Sequence, residues 1–163
     1  MPVSRATPAL DALQAAGVAY TLHSYRHDPA VTRFGEESVE ALGVDPRRVL
    51  KTLVAAAAAA RGPDLVVGIV PVSSRLDLKA LAVAIGAKKV QLADPTLAER
   101  SSGYVVGGIS PLGQRTRLPT VLDAAALGYE TVYVSAGRRG QQVELAPADL
   151  VRLTGAQIAK ISR

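Results

Sequence analysis

The sequence predicts an α+β fold built on a mixed β-sheet, in a single domain that spans residues 1–163. The chain has 163 residues, the length of one domain, and 48% of them are hydrophobic, which is enough to bury a core. Strand patterns and helix patterns alternate irregularly along it, rather than as a regular βαβ series. No internal repeat or linker divides the chain.

Helices are predicted where a capping residue or a proline precedes an apolar face and a glycine follows it. Thr7 and Pro8 open the first helix, which Gly17 ends. The same pattern predicts four more helices, over 34–42, over 75–85 with Ser74 as its N-cap, over 96–102 after Asp94 and Pro95, and from Pro147 onward.

Strands are predicted from alternating, β-branched or aromatic segments. The segment "VLKTLVAAAAAARG" (49–62) is ambiguous, because its alanines favour a helix. The turn sequence at 61–64 and the apolar segment "LVVGIVPV" (65–72) instead favour a β-hairpin, so we predict two strands here. The other predicted strands lie at 18–25, 104–107, 117–121, 131–135 and 141–145.

Composition excludes several function classes. The chain has no cysteine, which excludes disulfides, thiolate metal sites and a cysteine nucleophile. It has no uninterrupted apolar run long enough to span a membrane, and its first residues lack the apolar segment of a signal peptide, so we expect a cytoplasmic protein with no membrane partner. The net charge of +5 permits a nucleic-acid partner without establishing one.

Two places carry candidate chemistry. Lys51 lies inside an apolar strand, where a lysine either extends its amine to the solvent at an edge or sits in a pocket that lowers its pKa. The glycine-rich segment 107–111 is either a β-bulge with a turn or a loop that presents backbone N–H groups to an oxyanion or phosphate. His23 and His27 lie four residues apart, but no third metal ligand accompanies them, so we expect structural histidines.

Seven blocks in the same order resemble one known family. They are "TLHSYRHDP" (21–29), "FGEE" (34–37), "LKTL" (50–53), "LDLKALA" (76–82), "GAKKVQLADP" (86–95), "SSGYVVGGISPLGQ" (101–114) and "YVSAGRRG" (133–140). The chain is identified by them as similar to the YbaK family of free-standing aminoacyl-tRNA deacylases. These proteins are relatives of the editing domain inserted in bacterial prolyl-tRNA synthetases. The resemblance implies a barrel-like mixed sheet flanked by helices.

The resemblance also implies an activity, the hydrolysis of Cys-tRNA(Pro) or Cys-tRNA(Cys). It implies that the substrate's own thiol attacks the ester carbonyl while the protein positions and polarises it, with no cofactor and no metal. The family's glycine-rich loop matches residues 107–111. The resemblance implies catalytic roles for Lys51, Gly107 and Gly108. It implies substrate-binding roles for Tyr25, Phe34, Thr52, Ile109, Ser110, Pro111 and Ser135. Gln141 and Gln142 stand where some relatives carry an acid, which leaves a carboxylate role there in doubt.

The expected partners are the 3′ end of an aminoacyl-tRNA and prolyl-tRNA synthetase. Four arginines that follow the two glycine-rich turns are expected to contact tRNA phosphates: Arg115, Arg117, Arg138 and Arg139. Two other functions stay open at this point. One is a deacylase for another mischarged tRNA such as Ala-tRNA(Pro), and the other is a non-catalytic module that binds RNA or a nucleotide.

Overall fold

The computed structural model describes residues 6–58 and 64–163, and its architecture is α+β as the sequence predicts. The described residues contain five α-helices: α1 Pro8–Ala16, α2 Phe34–Leu42, α3 Leu78–Ile85, α4 Pro95–Ser102 and α5 Pro147–Thr154. Two short 3₁₀ helices cover Pro46–Arg48 and Ala124–Gly128. No helix in the described part of the chain is both long enough and apolar enough to cross a membrane.

The helix ends follow from their capping residues. The Thr7 side chain accepts a hydrogen bond from the Leu10 N–H at the start of α1, and Asp94 does the same for Thr96 at the start of α4. A glycine with positive φ follows each of the five helices, a conformation that other residues rarely adopt. The C-terminal ends predicted for α1 to α4 are confirmed for this reason.

The described residues form eight strands: β1 Thr21–Ser24, β2 Leu50–Ala57, β3 Asp64–Pro71, β4 Val90–Leu92, β5 Thr120–Asp123, β6 Val132–Ser135, β7 Gln141–Leu145 and β8 Gln157–Ala159. β2 and β3 pair antiparallel from Leu50 opposite Pro71 to Ala57 opposite Asp64. The predicted hairpin is therefore confirmed, although residues 61–63 of its predicted turn lie outside the described residues.

The strands form two sheets. A five-stranded mixed sheet has the order β4-β2-β3-β5-β8, antiparallel around β2 and parallel from β3 to β8. A three-stranded antiparallel sheet has the order β1-β7-β6. In the described part of the chain, a parallel bridge between Val49 and Tyr133 joins them where β2 begins. In the described residues the two sheets curve around a common core, barrel-like without closing.

The central strand β3 of the larger sheet is buried on both faces. Ile69 of β3 packs in a core with β6, β7, α1 and α5, whereas Val66 and Val70 of the same strand pack in a second core against α3. A strand that is buried on both faces reads as a continuous apolar run rather than an alternating one. This burial explains the sequence of β3, and it holds β2 in a fixed position beside it.

The structure corrects three local predictions. Residues 104–107 form no strand, because the chain turns there at Gly107 with φ +88°. Helix α3 begins at Leu78 with Asp77 as its N-cap, since the main chain of Arg75 pairs with Arg163 and keeps the preceding segment extended. The three-residue edge strands β4 and β8 were not predicted, because such short segments carry little pattern.

Candidate active site

A cavity of about 370 Å³ lies between α2, the first half of β2, α4 and the loop that follows Gly103. Among the described residues, β4 pairs only with Ala55–Ala57, so the first half of β2 has no paired strand on that edge where the cavity lies. Six of the predicted site residues line it: Phe34, Lys51, Thr52, Gly107, Ile109 and Ser135. Most of the remaining wall is apolar, with Val49, Val54 and Ala98 among its residues.

The other four predicted residues support this cavity without lining it. Tyr25 places its hydroxyl 2.7 Å from Oγ of Ser38, which does line the cavity. Gly108 accepts a hydrogen bond of 3.0 Å from Ser135 Oγ through its carbonyl. Ser110 and Pro111 are buried at the end of the loop, where Ser110 Oγ accepts a hydrogen bond from the Leu112 N–H.

Lys51 is a half-buried cation in this apolar setting. Burial lowers the pKa of its amine, and the nearby charge of Arg75 lowers it further. Within the described residues no carboxylate lies within ion-pair distance of Lys51. A cation held without a protein partner is free to bind an oxygen atom of a ligand.

Two buried oxygen atoms at the cavity lack hydrogen-bond partners in the described residues. They are Thr52 Oγ1 and Gln142 Oε1. The amide nitrogen of Gln142 donates to Ser38 Oγ at 3.3 Å, which orients its oxygen. Buried acceptors of this kind are costly unless a ligand or water satisfies them, so both are candidates for contact with substrate.

Sequence reasoning missed Ser38 and gave Gln142 no role. A signal for Ser38 was present, because it lies four residues after Phe34 and therefore on the same face of α2. Gln142 lines the cavity and Gln141 does not, which follows from the alternation of side chains along β7. The strand register, which decides between these two glutamines, is not readable from the sequence.

The glycine-rich loop turns tightly at the cavity wall. The Gly108 N–H donates to the Val105 carbonyl at 2.8 Å, which closes a β-turn. Gly107 has a positive φ and no described non-glycine residue does, so this is a type II turn with Gly107 at its third position. A Cβ atom on Gly107 would lie 2.7 Å from the Phe34 ring, so the ring and the main chain touch.

The turn leaves two backbone donors available at the cavity. The N–H groups of Val106 and Gly108 are already used, by the Glu99 carboxylate and by Val105. The N–H groups of Gly107 and Ile109 have no hydrogen-bond partner within the described residues, and both residues line the cavity. Of the two glycines predicted to be catalytic, Gly107 is the one with a free donor.

Buried hydrogen bonds fix the position of the glycine-rich loop. The Tyr104 hydroxyl donates to the Leu112 carbonyl at 2.6 Å, and burial raises the pKa of Tyr104 to about 12. Gln114 donates through its side-chain amide to the Ser110 carbonyl at 3.0 Å. These bonds span the loop from end to end and fix its main chain at the cavity.

The histidines have carboxylate partners outside the cavity. His23 Nε2 lies 2.9 Å from Glu144, and His27 Nδ1 lies 2.7 Å from Glu37. The pKa of Glu144 is lowered mainly by the Thr131 hydrogen bond, and His23 adds to this effect. At Glu37 burial raises the pKa, but the hydrogen bonds from His27 and from the Asp28 N–H outweigh it, so its pKa is lowered. Across residues 6–58 and 64–163, no group of three or more His, Cys, Asp or Glu side chains is placed to hold a metal ion.

Comparison with known proteins gives a consistent set of similarities. Residues 28–153 match the aminoacyl-tRNA editing domain family. A candidate Cys-tRNA(Pro)/Cys-tRNA(Cys) deacylase, EbsC of Enterococcus faecalis (strain ATCC 700802 / V583), is 42% identical over 127 residues, which cover 78% of this chain and 76% of the relative.

Solved structures are similar over almost the whole chain. The crystal structure of a candidate trans-editing enzyme for prolyl-tRNA synthetase is 29% identical, with a TM-score of 0.79 over 98% of this chain and 99% of that one. The crystal structure of the hypothetical protein APE2540 is 27% identical, with a TM-score of 0.84 over 96% of this chain and 100% of that one.

Proposed function

Because the chain belongs to the aminoacyl-tRNA editing domain family and is an aminoacyl-tRNA deacylase, we propose that it removes cysteine from mischarged Cys-tRNA(Pro) in trans, with Cys-tRNA(Cys) as a second substrate. The observation that carries this proposal is the pairing of free backbone donors with a cavity whose described lining shows no nucleophile activated by a histidine base. The relative EbsC, named for the same two substrates, supports it.

The cavity lacks an activated side-chain nucleophile in its described lining. The two lining serines, Ser38 and Ser135, are engaged with Phe34 and Gly108 carbonyls respectively. Neither His23 nor His27 lines the cavity, so no histidine base lies beside these serines or beside Thr52, the third hydroxyl of the described lining. We therefore propose that the attacking group is water or part of the substrate.

We assign the ester carbonyl oxygen to the N–H groups of Gly107 and Ile109. Donors aimed at the oxygen where charge develops lower the barrier of acyl transfer, each by about 3 kcal/mol in other enzymes. Lys51 is assigned to an oxygen of the terminal nucleotide, because its charge has no protein partner. The acceptors Thr52 Oγ1 and Gln142 Oε1 suit the α-ammonium group of the aminoacyl moiety.

The substrate thiol is the proposed nucleophile. Its sulfur, as thiolate, attacks the ester carbonyl of its own residue and forms a C–S bond in a four-membered ring. The C–O bond to the ribose then breaks, and the ribose oxygen leaves with the proton that the thiol has lost. Water opens the resulting thiolactone to free cysteine. A thiol with pKa near 8.5 is a few per cent ionised at neutral pH, whereas a hydroxyl is almost entirely protonated.

Deacylation of a small panel tests this function. Cys-tRNA(Pro) should be cleaved at least about 100-fold faster than Ser-tRNA(Pro) or Ala-tRNA(Pro), and alkylation of the substrate thiol should stop cleavage. Equal rates for the cysteine and alanine esters would replace the thiol route with activated water and a broader substrate range. Binding of tRNA without cleavage of any ester would indicate the non-catalytic module instead.

The tRNA specificity is proposed to come from prolyl-tRNA synthetase. A structural relative is described as a trans-editing enzyme for that synthetase, which supports the proposal. We expect the chain to elute together with the synthetase and tRNA(Pro) when both are present, and to elute alone when either one is left out.

We also propose that residues 1–163 act as one editing domain. The first and last described helices, α1 and α5, share one core with the central strands, which supports a single folding unit. Limited proteolysis that leaves the described core intact, with one cooperative thermal transition, is the expected result.

A further inference from the structure

The turn between β6 and β7, residues 136–140, reaches across to the glycine-rich loop. Arg139 in this turn donates two hydrogen bonds from its guanidinium, through Nε at 2.9 Å and Nη2 at 2.7 Å, to the Val106 carbonyl. That carbonyl belongs to the same peptide unit as the Gly107 N–H. One arginine thus holds one end of the peptide whose other end is a free donor at the cavity.

The orientation of this peptide decides whether the Gly107 N–H or the Val106 carbonyl faces the cavity. A trans peptide directs its N–H opposite to its C=O, so a carbonyl turned toward Arg139 directs the Gly107 N–H away from it. The Val106–Gly107 peptide is the central peptide of the type II turn. Rotation of that peptide by half a turn converts type II geometry to type I, with negative φ at the third position. Glycine permits both values, so Gly107 alone does not fix the orientation.

Phe34 links the arginine to the glycine. The guanidinium carbon of Arg139 lies 4.8 Å from the centre of the Phe34 ring, within the range of a cation–π interaction. The same ring packs directly on Gly107. The aromatic ring therefore fixes the plane of the guanidinium and closes one side of the turn.

The two segments also touch main chain to main chain. A Cβ atom on Gly108 would lie 2.9 Å from the Arg138 Cα, and Ser135 Oγ donates to the Gly108 carbonyl. Because the backbones are in contact, the distance from the hairpin to the loop is set by packing. The separation between Arg139 and the Val106 carbonyl is then fixed as well.

We propose that Arg139 is a positioning residue that holds the Val106–Gly107 peptide in the orientation that presents the Gly107 N–H to the ester carbonyl. Its two charge-assisted hydrogen bonds also polarise that peptide, which makes the N–H a stronger donor. The catalytic part of this proposal rests on the proposed function. It replaces the sequence-based expectation that Arg139 contacts tRNA phosphate.

The test compares Arg139→Gln and Arg139→Lys with Arg152→Gln, which removes an exposed arginine of α5 outside the cavity lining. Each is assayed on Cys-tRNA(Pro) and on 3′-O-cysteinyl adenosine, which has no phosphate. Arg139→Gln should lower kcat about 100-fold on both substrates with KM within twofold, the size of the loss of an oxyanion donor. Arg139→Lys should recover part of the rate, and Arg152→Gln should match the wild type.

A second measurement needs no activity. In protein labelled with ¹⁵N-glycine, the Gly107 amide should give one sharp resonance in the wild type and a broadened or doubled one in Arg139→Gln, with the melting temperature little changed. A loss confined to the full tRNA, seen as a raised KM, would make Arg139 a phosphate contact and overturn the proposal. An unaltered Gly107 resonance in Arg139→Gln would overturn it too. If the wild type is inactive but its Gly107 resonance still differs from that of Arg139→Gln, the proposed function is contradicted and the positioning role of Arg139 stands.

Discussion

At the scale of single residues, Lys51 shows a conflict between the stability of the fold and its function. Its pKa is lowered in the folded chain, so the unfolded chain binds this proton more tightly. The charge therefore costs stability at neutral pH, and the cost decreases as the pH rises from the folded-state pKa to the ordinary lysine value of 10.5 in the unfolded chain. Charged residues that cost stability in the folded protein are typical of binding sites, where a less stable arrangement is retained because it binds a ligand.

Lys51→Met should separate these two effects. Methionine keeps most of the apolar stem and removes the charge, so we expect deacylation to fall by about 100-fold while the melting temperature stays level or rises by about 2 °C. Lys79→Met, at an exposed position of α3, is the control and should change neither value. Wild-type activity in folded Lys51→Met would remove Lys51 from the site.

The pH profile should carry both ionisations. The rate should rise as the substrate thiol ionises near its pKa of about 8.5, and fall as Lys51 loses its proton. Because burial lowers the pKa of Lys51, the fall should begin below the ordinary lysine value of 10.5. Arginine stays charged to higher pH, so Lys51→Arg should lose the falling limb whatever its absolute rate. A falling limb that persists in Lys51→Arg would assign it to another group.

Gly107→Ala should abolish most activity for two separable reasons. The positive φ strains any L-residue by about 1–2 kcal/mol, and the new Cβ meets the Phe34 ring. Gly17→Ala is the matched control, since Gly17 also has a positive φ but nothing lies within 4 Å of its Cβ position. Stability should fall in both variants and activity only in Gly107→Ala. Gly140 would be a poor control, because its Cβ would lie 2.7 Å from the Tyr25 carbonyl.

At the scale of elements, a buried carboxylate attaches the end of the chain to the larger sheet. Asp123, at the end of β5, is fully buried. Its Oδ1 accepts backbone hydrogen bonds from Ile161 at 2.9 Å and from Ser162 at 3.0 Å, and its Oδ2 accepts one from Ala125 at 3.3 Å. The carboxylate thus satisfies three N–H groups at once and fixes the segment after β8 beside α3.

Asp123→Ala should destabilise the fold by about 3 kcal/mol, because it leaves buried N–H groups unsatisfied. The melting temperature should fall by about 6–10 °C, with kcat unchanged at temperatures where the variant is folded. Asp11→Ala, at an exposed position of α1, should cost less than about 1 kcal/mol. Equal losses in the two variants would show that the buried hydrogen bonds contribute little.

At the scale of the whole molecule, the basic charge and the cavity are expected to act on different parts of the substrate. Arg115 and Arg117 are exposed on the segment that leaves the glycine-rich loop. The main chain of Arg115 is anchored to the end of α4 by a hydrogen bond to the Ser102 carbonyl at 2.9 Å. Their side chains therefore project from a fixed backbone close to the loop at which the ester is proposed to bind.

The double variant Arg115→Gln/Arg117→Gln should raise KM for Cys-tRNA(Pro) and leave kcat unchanged. Each lost phosphate contact should reduce the slope of log affinity against log salt by about 1. Cleavage of 3′-O-cysteinyl adenosine should be unaffected, because it has no phosphate. An unaltered salt slope would place the tRNA on another face of the protein.

The sequence by itself determined most of the elements and named the candidate residues of the site. Capping residues, glycines and apolar segments act over a few neighbours along the chain, so they are readable without the fold. The α+β class and the β2–β3 hairpin were predicted in this way. Lys51, Gly107 and Phe34 were named before the structure brought them to one cavity.

Only the tertiary structure decided which atoms of these residues are available. Pairing across the sheets put Gln142 rather than Gln141 at the cavity, because strand register depends on a partner that is distant in sequence. The hydrogen bond from Gly108 to Val105 used one of the two predicted donors and left Gly107. Arg139 reached a carbonyl 33 residues away because two backbones pack against each other, a contact that no local pattern encodes.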